Sequence, residues 1–380
     1  MTNDFLKQAF VYLVAAVLGV PLAKRLGLGS VLGYLLAGVA IGPFALGLVG
    51  HDGHDVMHFA EFGVVMMLFL VGLELRPSLL WSLRRPILGL GGLQVLCTSL
   101  VFGAVAFALG VPLKPALAVG MIFSMSSTAI VLQSLNERGL SHGAGGQAAF
   151  SVLLFQDIAV IPILALFPLL GDGAATVSTE TEPSRWVRAA SVLAAVALVV
   201  LGGRYLVRPA FRWLAETRLR EAFTAAALML VVGIALLMSY VGLSAALGTF
   251  LAGVVLAESE YRHELESDIE PFKGLLLGLF FISVGAQIDF GYVAHHPWQV
   301  GVGVVSSMLL KLLVLYGVAR VFGLDRPARW LFAFALSQVG EFAFVLLAYG
   351  VTCGIYSQAF SAPLVAVVAL SMALTPIAFL

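Results

Sequence analysis

The sequence predicts an all-α polytopic membrane protein of about thirteen transmembrane helices, built as an inverted repeat with one interrupted helix in each half. Three observations carry that prediction. The composition cannot coat a water-soluble globule: of 380 residues 61% are hydrophobic and 11% charged, with a mean hydropathy of +1.03. The apolar runs recur at the length a bilayer demands, roughly 20 residues per helical span. Short polar and small-residue words also repeat in the same order along the two halves of the chain.

Taken in order, the spans fall near 5–23, 28–48, 57–75, 86–109, 113–134, 145–170, 186–207, 221–240, 242–257, 271–287, 298–321, 328–350 and 360–380. The first is read as a retained span, because MTNDFLKQAF has no basic n-region and no cleavage signature follows it. An odd count puts the termini on opposite sides. Most of the 21 Lys and Arg lie on one set of alternate loops, from Lys24–Arg25 through Arg84–Arg85, Arg138 and Arg204–Arg220 to Arg326 and Arg329. That side is expected to be cytoplasmic, leaving the N-terminus outside and the C-terminus inside a plasma (inner) membrane. The acidic, Ser/Thr-rich linker 171–184 then lies outside.

The repeat is read from paired words. LLAGVAIGP (35–43) returns as FLAGVVLAE (250–258), and LFLVGLEL (68–75) as FISVGAQI (281–288). FSMSSTAI (123–130) has its counterpart in ALSQVGEF (335–342), and FQDIAVIP (155–162) in ALSMALTP (369–376). Steps between the anchors Gly38, Gly72, Ser126 and Asp157 match those between Gly253, Gly285, Ser337 and Ser371 to within three residues. Repeat 1 covers about 5–170, a linking span about 186–207, and repeat 2 about 221–380. The halves start on opposite sides, which is the construction of secondary transporters with a midplane site.

Each repeat has one span with a polar run where a lipid-facing helix should be continuous. These are Ser124, Ser126, Ser127 and Thr128 in the fifth span, and Ser337, Gln338, Gly340 and Glu341 in the twelfth. Ser, Thr and Gly tolerate freed backbone groups and unusual dihedrals, so both runs read as helices broken at mid-membrane, offering dipole ends and bare carbonyls to an ion. Small-residue packing is the plainer alternative.

Asp157 is the acid that lies mid-span in an otherwise apolar stretch. A carboxylate there costs about 2.5–3.5 kcal/mol on insertion scales and is functional unless paired. Lys311 is its natural partner, with Glu341, Glu61 and Glu74 as other intramembrane charges, and an Asp157–Lys311 ionic staple is the structural alternative. As a functional group, Asp157 is a site where a proton and a bare cation compete, with Gln156 adding an amide oxygen. If the protein reorients only when that site is neutralised, it is an obligatory cation/proton exchanger. A gated pore and a membrane-embedded sensor stay open. The first needs repeated carbonyl or charge rings, and the second needs no buried charge.

VLLFQDIAVIP (152–162), GLGSVLGYLLAGVAIGP (27–43), SSTAI (126–130) with LNERG (135–139), and HELESDIEPFKGLLLGLFFISVG (263–285) resemble the Kef glutathione-gated potassium efflux antiporters of the monovalent cation:proton antiporter-2 superfamily. The resemblance runs through the whole chain, and its last segment is specific to Kef. It implies a homodimeric potassium/proton antiporter whose two discontinuous helices cross at the ion site. Asp157 is then the carrier of ion and proton, Gln156 its neighbour and Lys311 the core lysine. Where many sodium/proton relatives have two adjacent acids, this chain has Gln156-Asp157, which favours potassium by analogy. The resemblance also implies a C-terminal cytoplasmic nucleotide-binding domain that senses glutathione. No G-x-G-x-x-G follows a strand in these residues, so NAD(H)/AMP and glutathione are expected there and no cofactor here.

ESEYRHELESDIEPFKG (258–274) is strongly acidic and precedes Pro271, which is expected to open the next helix. A solvated connector is the plain reading. The resemblance makes it a regulatory loop, with His263, Glu264, Glu266, Asp268, Glu270, Phe272 and Lys273 gripped by the nucleotide-binding domain or an ancillary subunit. His51, His54 and His58 in HDGHDVMH match no closed zinc spacing and are read as a hydrated loop. Cys97 and Cys353 suggest neither a disulfide framework nor a metal site. No catalytic constellation is present, and no basic tract interleaved with aromatics suits a nucleic acid; lipid is the expected surroundings.

Overall fold

The computed structural model describes residues 2–25, 30–49, 65–66, 68–70, 72–73, 85–171, 194–195, 197–216, 220–241, 245–257, 259–286, 288 and 290–378. The cluster at His51, His54 and His58, the linker at 172–184 and most of the expected third span lie outside these. The regular elements of the described residues are all helical: α1 (Thr2–Arg25), α2 (Ser30–Ile41), α3 (Gly92–Ala108), α4 (Leu113–Ser124), α5 (Thr128–Glu137), α6 (Ala144–Leu170), α7 (Arg208–Glu216), α8 (Arg220–Tyr240), α9 (Ala245–Leu256), α10 (Arg262–Ala286), α11 (Phe290–His295), α12 (Pro297–Val321), α13 (Arg326–Leu336), α14 (Phe342–Thr352) and α15 (Gln358–Ala378). Turns of π-helix at Arg85–Gly91 and Gly203–Val207 lead into α3 and α7.

Seven of these stretches are long and apolar enough to cross a membrane. Helices of 10–12 residues, such as α4 and α14, rise only about 15–18 Å, roughly half the hydrocarbon core. On α12 the lysine, Lys311, is fully buried while Leu309 and Leu313 are exposed, as expected when lipid is the solvent.

The chain divides into two compact units. One comprises Met1–Gly53, Leu83–Thr176 and Phe281–Leu380. Its core packs the π-helical turn before α3 with α5, α6, α12 and α13 through Leu90, Val131, Leu153, Leu315, Phe332 and Leu336. Gly91 lies so close to Phe155 that a Cβ would overlap its ring, which presses the start of α3 onto α6. The other unit comprises His54–Ser82 and Val177–Phe280. Its core includes Phe69, Leu73, Phe223, Val231, Leu256 and Leu265, with Phe211 edge-on to Phe223 at 4.9 Å between ring centroids.

The four glycines that anchor the repeat each lie at a helix crossing. Side chains on Gly38 and Gly285 would overlap the carbonyls of Ile282 and Leu35, so α2 and the end of α10 touch backbone to backbone. Gly72 and Gly253 do the same against the carbonyls of Phe250 and Phe69. Each crossing joins an anchor of one sequence half to an anchor of the other.

Two span boundaries differ from expectation. The span placed at 28–48 is helical only to Ile41, because Pro43 disfavours helical geometry in Gly42 and ends the run. The freed carbonyls of Ala40 and Ile41 are taken by the N–H groups of Leu46, Leu48 and Val49 at 3.0–3.1 Å. Helix α10 begins at Arg262, not Pro271, and runs through the proline. Acidic Glu264 in its first turn suits the positive helix end.

Candidate ion site at two broken helices

Both expected interruptions are present. Helix α4 ends at Ser124, Met125 and Ser127 are extended, and α5 starts at Thr128. The local sequence supports this, since Ser127 caps α5 by accepting from the Ile130 N–H at 3.3 Å. Helix α13 ends at Leu336 and α14 starts at Phe342, with Ser337 returning its hydroxyl to the Phe334 carbonyl at 3.0 Å.

The breaks bind each other. The Gly340 N–H donates to the Met125 carbonyl at 3.1 Å, and the Ser126 hydroxyl donates to the Leu336 carbonyl at 3.0 Å. A Cβ on Gly340 would overlap the backbone of Ser126, so only glycine admits this approach. Lys311 reaches the same place from α12. Its ammonium donates to the Met125 carbonyl at 2.6 Å and the Gln338 carbonyl at 2.8 Å, one from each break. The buried Lys311 amino group thus sits at the carbonyl ends of both α4 and α13.

Acids stand at the opposite poles. The Asp157 carboxylate, half-buried on α6, accepts from the Thr128 hydroxyl at 3.3 Å, at the first residue of α5. Glu341 is the residue preceding α14, with a buried carboxylate oxygen. Asp157 and Glu341 are therefore the carboxyl groups at the positive ends of the two outgoing half-helices.

Gln156 does something other than present a free oxygen. Its Oε1 accepts from the Ser126 N–H at 2.7 Å, and its Nε2 donates to Gln94 Oε1 at 2.8 Å and to the Ser124 carbonyl at 3.1 Å. Gln94 in turn donates to the Ser124 carbonyl and the Thr98 hydroxyl, both at 3.1 Å. At the other break, Ser371 Oγ accepts from the Val339 N–H at 3.3 Å. By role, Ser371 is thus the counterpart of Gln156, one residue away from the Asp157 alignment. Gln338 is fully buried, and among the described residues neither polar atom of its amide has a hydrogen-bond partner.

A model of the transmembrane region of the sodium/hydrogen exchangers matches residues 12–380. The chain belongs to the sodium/hydrogen exchanger family. The exchanger's fold is also that of the sodium proton antiporter MjNhaP1 from Methanocaldococcus jannaschii. Its structure at pH 8 superposes with a TM-score of 0.67 at 17% identity, over 99% of this chain and 95% of that one. An electron-microscopy map of MjNhaP1 gives 0.63 at 16%, over 99% and 94%. Membrane-embedded cation/proton exchange, a transport activity, is therefore the activity class of this family.

The acidic segment of the exchanger lies apart from the crossing, on the first turns of α10. His263, Glu264, Glu270 and Phe272 are exposed, and Lys273 follows on the same helix. Glu266 is 3.8 Å from both Arg262 and His263. Asp268 departs from a solvated charge run: it is buried and accepts from the Thr224 hydroxyl at 2.7 Å. The residues missed by sequence reasoning are Gln94 and Thr98. Their signal was available, as two polar groups four apart in an apolar helix share one face.

Proposed function

We propose that this exchanger carries potassium out of the cell in return for protons, by alternating access, with Asp157 the group at which the two compete. The observation that carries this reading is the placement of Asp157. It faces the start of a half-helix in a crossing whose carbonyl ends are already engaged by Lys311. A carboxylate so placed can exchange a proton for a cation, while the remaining polar groups at the crossing, Ser127, Ser337, Gln338 and Glu341, offer oxygens nearby.

Potassium is supported by the Kef-like segment 263–285 and by Gln156-Asp157 in place of paired acids. Sodium is supported by the printed name of the structural relative, a sodium proton antiporter. In this reading the protein works as a homodimer in a bacterial inner membrane. A cytoplasmic nucleotide-binding domain, carrying the NAD(H)/AMP and glutathione sites, grips the acidic turns of α10.

The test uses purified protein in liposomes with an internal pH dye, an imposed proton gradient, and potassium or sodium added to wild type and Asp157→Asn. Potassium-dependent proton movement that disappears in the variant is expected. Proton movement driven by sodium alone would replace the cation. Potassium current without proton movement, or normal exchange by the variant, would overturn the mechanism.

A further inference from the structure

We infer that Gln94 is a positioning residue for ion exchange, acting through Gln156 to hold the first break in register with Asp157. The inference rests on the crossing being the exchange site. Between the last carbonyl of α4, Ser124 O, and the free N–H of Ser126, two fully buried carboxamides close a circuit. Every donor in it faces an acceptor. The two backbone groups dictate the orientation of both amides. Turning Gln156 over would set its NH2 against the Ser126 N–H, and turning Gln94 over would set its oxygen against the Ser124 carbonyl.

The same circuit explains why neither position is acidic or apolar. A carboxylate at either place has no hydrogen to give the Ser124 carbonyl, and at 156 it would add a second negative charge directly beside Asp157. An apolar side chain would leave the buried carbonyl and N–H with fewer partners. Gln156 and Asp157 are consecutive on α6, so the bond from Gln94 also fixes the turn of α6 that aims Asp157 at Thr128. Gln94 itself touches none of the groups proposed to exchange ions. Its contribution is to the geometry in which the cation is bound.

The test is a double-mutant cycle on the full chain in liposomes: Gln94→Met, Gln156→Met and both together, with exchange measured against potassium and sodium concentration and thermal unfolding followed in parallel. Gln94→Met is expected to raise the cation KM about tenfold with the maximal rate within about twofold, and the double variant to be no worse than Gln156→Met. Gln94→Asn keeps both polarities but falls a methylene short, and should reproduce the KM shift if the Met variant does not fold. An unshifted KM with lowered thermal stability would make Gln94 purely structural, and fold-changes that multiply would show that it acts independently of Gln156. Either result overturns the inference. Failure of the carrier reading shows separately, as exchange that survives Asp157→Asn.

Discussion

The ammonium of Lys311 donates to the main-chain carbonyl of Gln338 at 2.8 Å, and at 2.6 Å to that of Met125 in the other break. One side chain therefore serves two helix ends that belong to opposite halves of the chain. Removing it leaves carbonyls with lost donors and two negative helix ends facing each other in a low dielectric. Lys311→Met should cost about 3 kcal/mol of stability, read as a lower midpoint of thermal unfolding in detergent. Lys311→Gln, which keeps donors without charge, should fall between. An undiminished midpoint in both variants would show that the helix ends need no counter-charge.

Thr128 makes a single, long hydrogen bond to the proposed carrier. Its loss in Thr128→Val removes stabilisation of the ionised carboxylate while preserving shape. At about 1 kcal/mol for such a bond, the cation KM should rise about fivefold without loss of fold. Concentration dependence of exchange in liposomes measures this, and an unchanged KM would remove Thr128 from the site.

The buried amide of Gln338 has no hydrogen-bond partner for either polar atom among the described residues. Desolvation of that kind costs about 1–3 kcal/mol per group. Met in its place should raise the unfolding midpoint in cation-free buffer by a few degrees. If the amide serves the passing ion, Gln338→Met should also lose the extra stabilisation that potassium or sodium confers on wild type. Retained cation stabilisation would make the amide a bystander.

Glycine positions separate sharply by what surrounds them. Gly340 rests on the backbone of Ser126, whereas Gly317 on α12 has open space where a Cβ would go. Gly340→Ala should abolish exchange and destabilise by about 3 kcal/mol, the upper end of overpacking costs. Gly317→Ala should match wild type in both assays. Equal behaviour of the two variants would contradict the contact between the breaks.

Much of this arrangement was legible because a bilayer makes polar residues conspicuous. Against 61% hydrophobic residues, the two polar runs, Asp157 and Lys311 stand out by chemistry alone, and the repeat pairs the runs with each other. What Lys311 binds was not legible. Main-chain carbonyls look alike in any sequence, so the ties to Met125 and Gln338 emerge only from the path of the backbone. Gln94 escaped because the opposite break is served differently: a serine hydroxyl, Ser371, does there what needs two carboxamides here. The start of α10 was misplaced because a proline was read as a beginning. A proline forfeits the bond to the carbonyl four residues back but need not open a helix, and α10 runs on through Pro271.

The bonds that tie the breaks together constrain how an ion can be passed from one side to the other. Gly340 to Met125, Ser126 to Leu336 and the shared ammonium would all have to rupture for one interrupted helix to slip past its mate. Unmade in a dry interior, they would cost several kcal/mol together, more than separates two conformers that must both be populated during turnover. The knot of four half-helices is therefore an indivisible carriage. In the alternating-access cycle proposed above, the carriage is expected to travel as one body with its passenger aboard, its internal bonds unbroken.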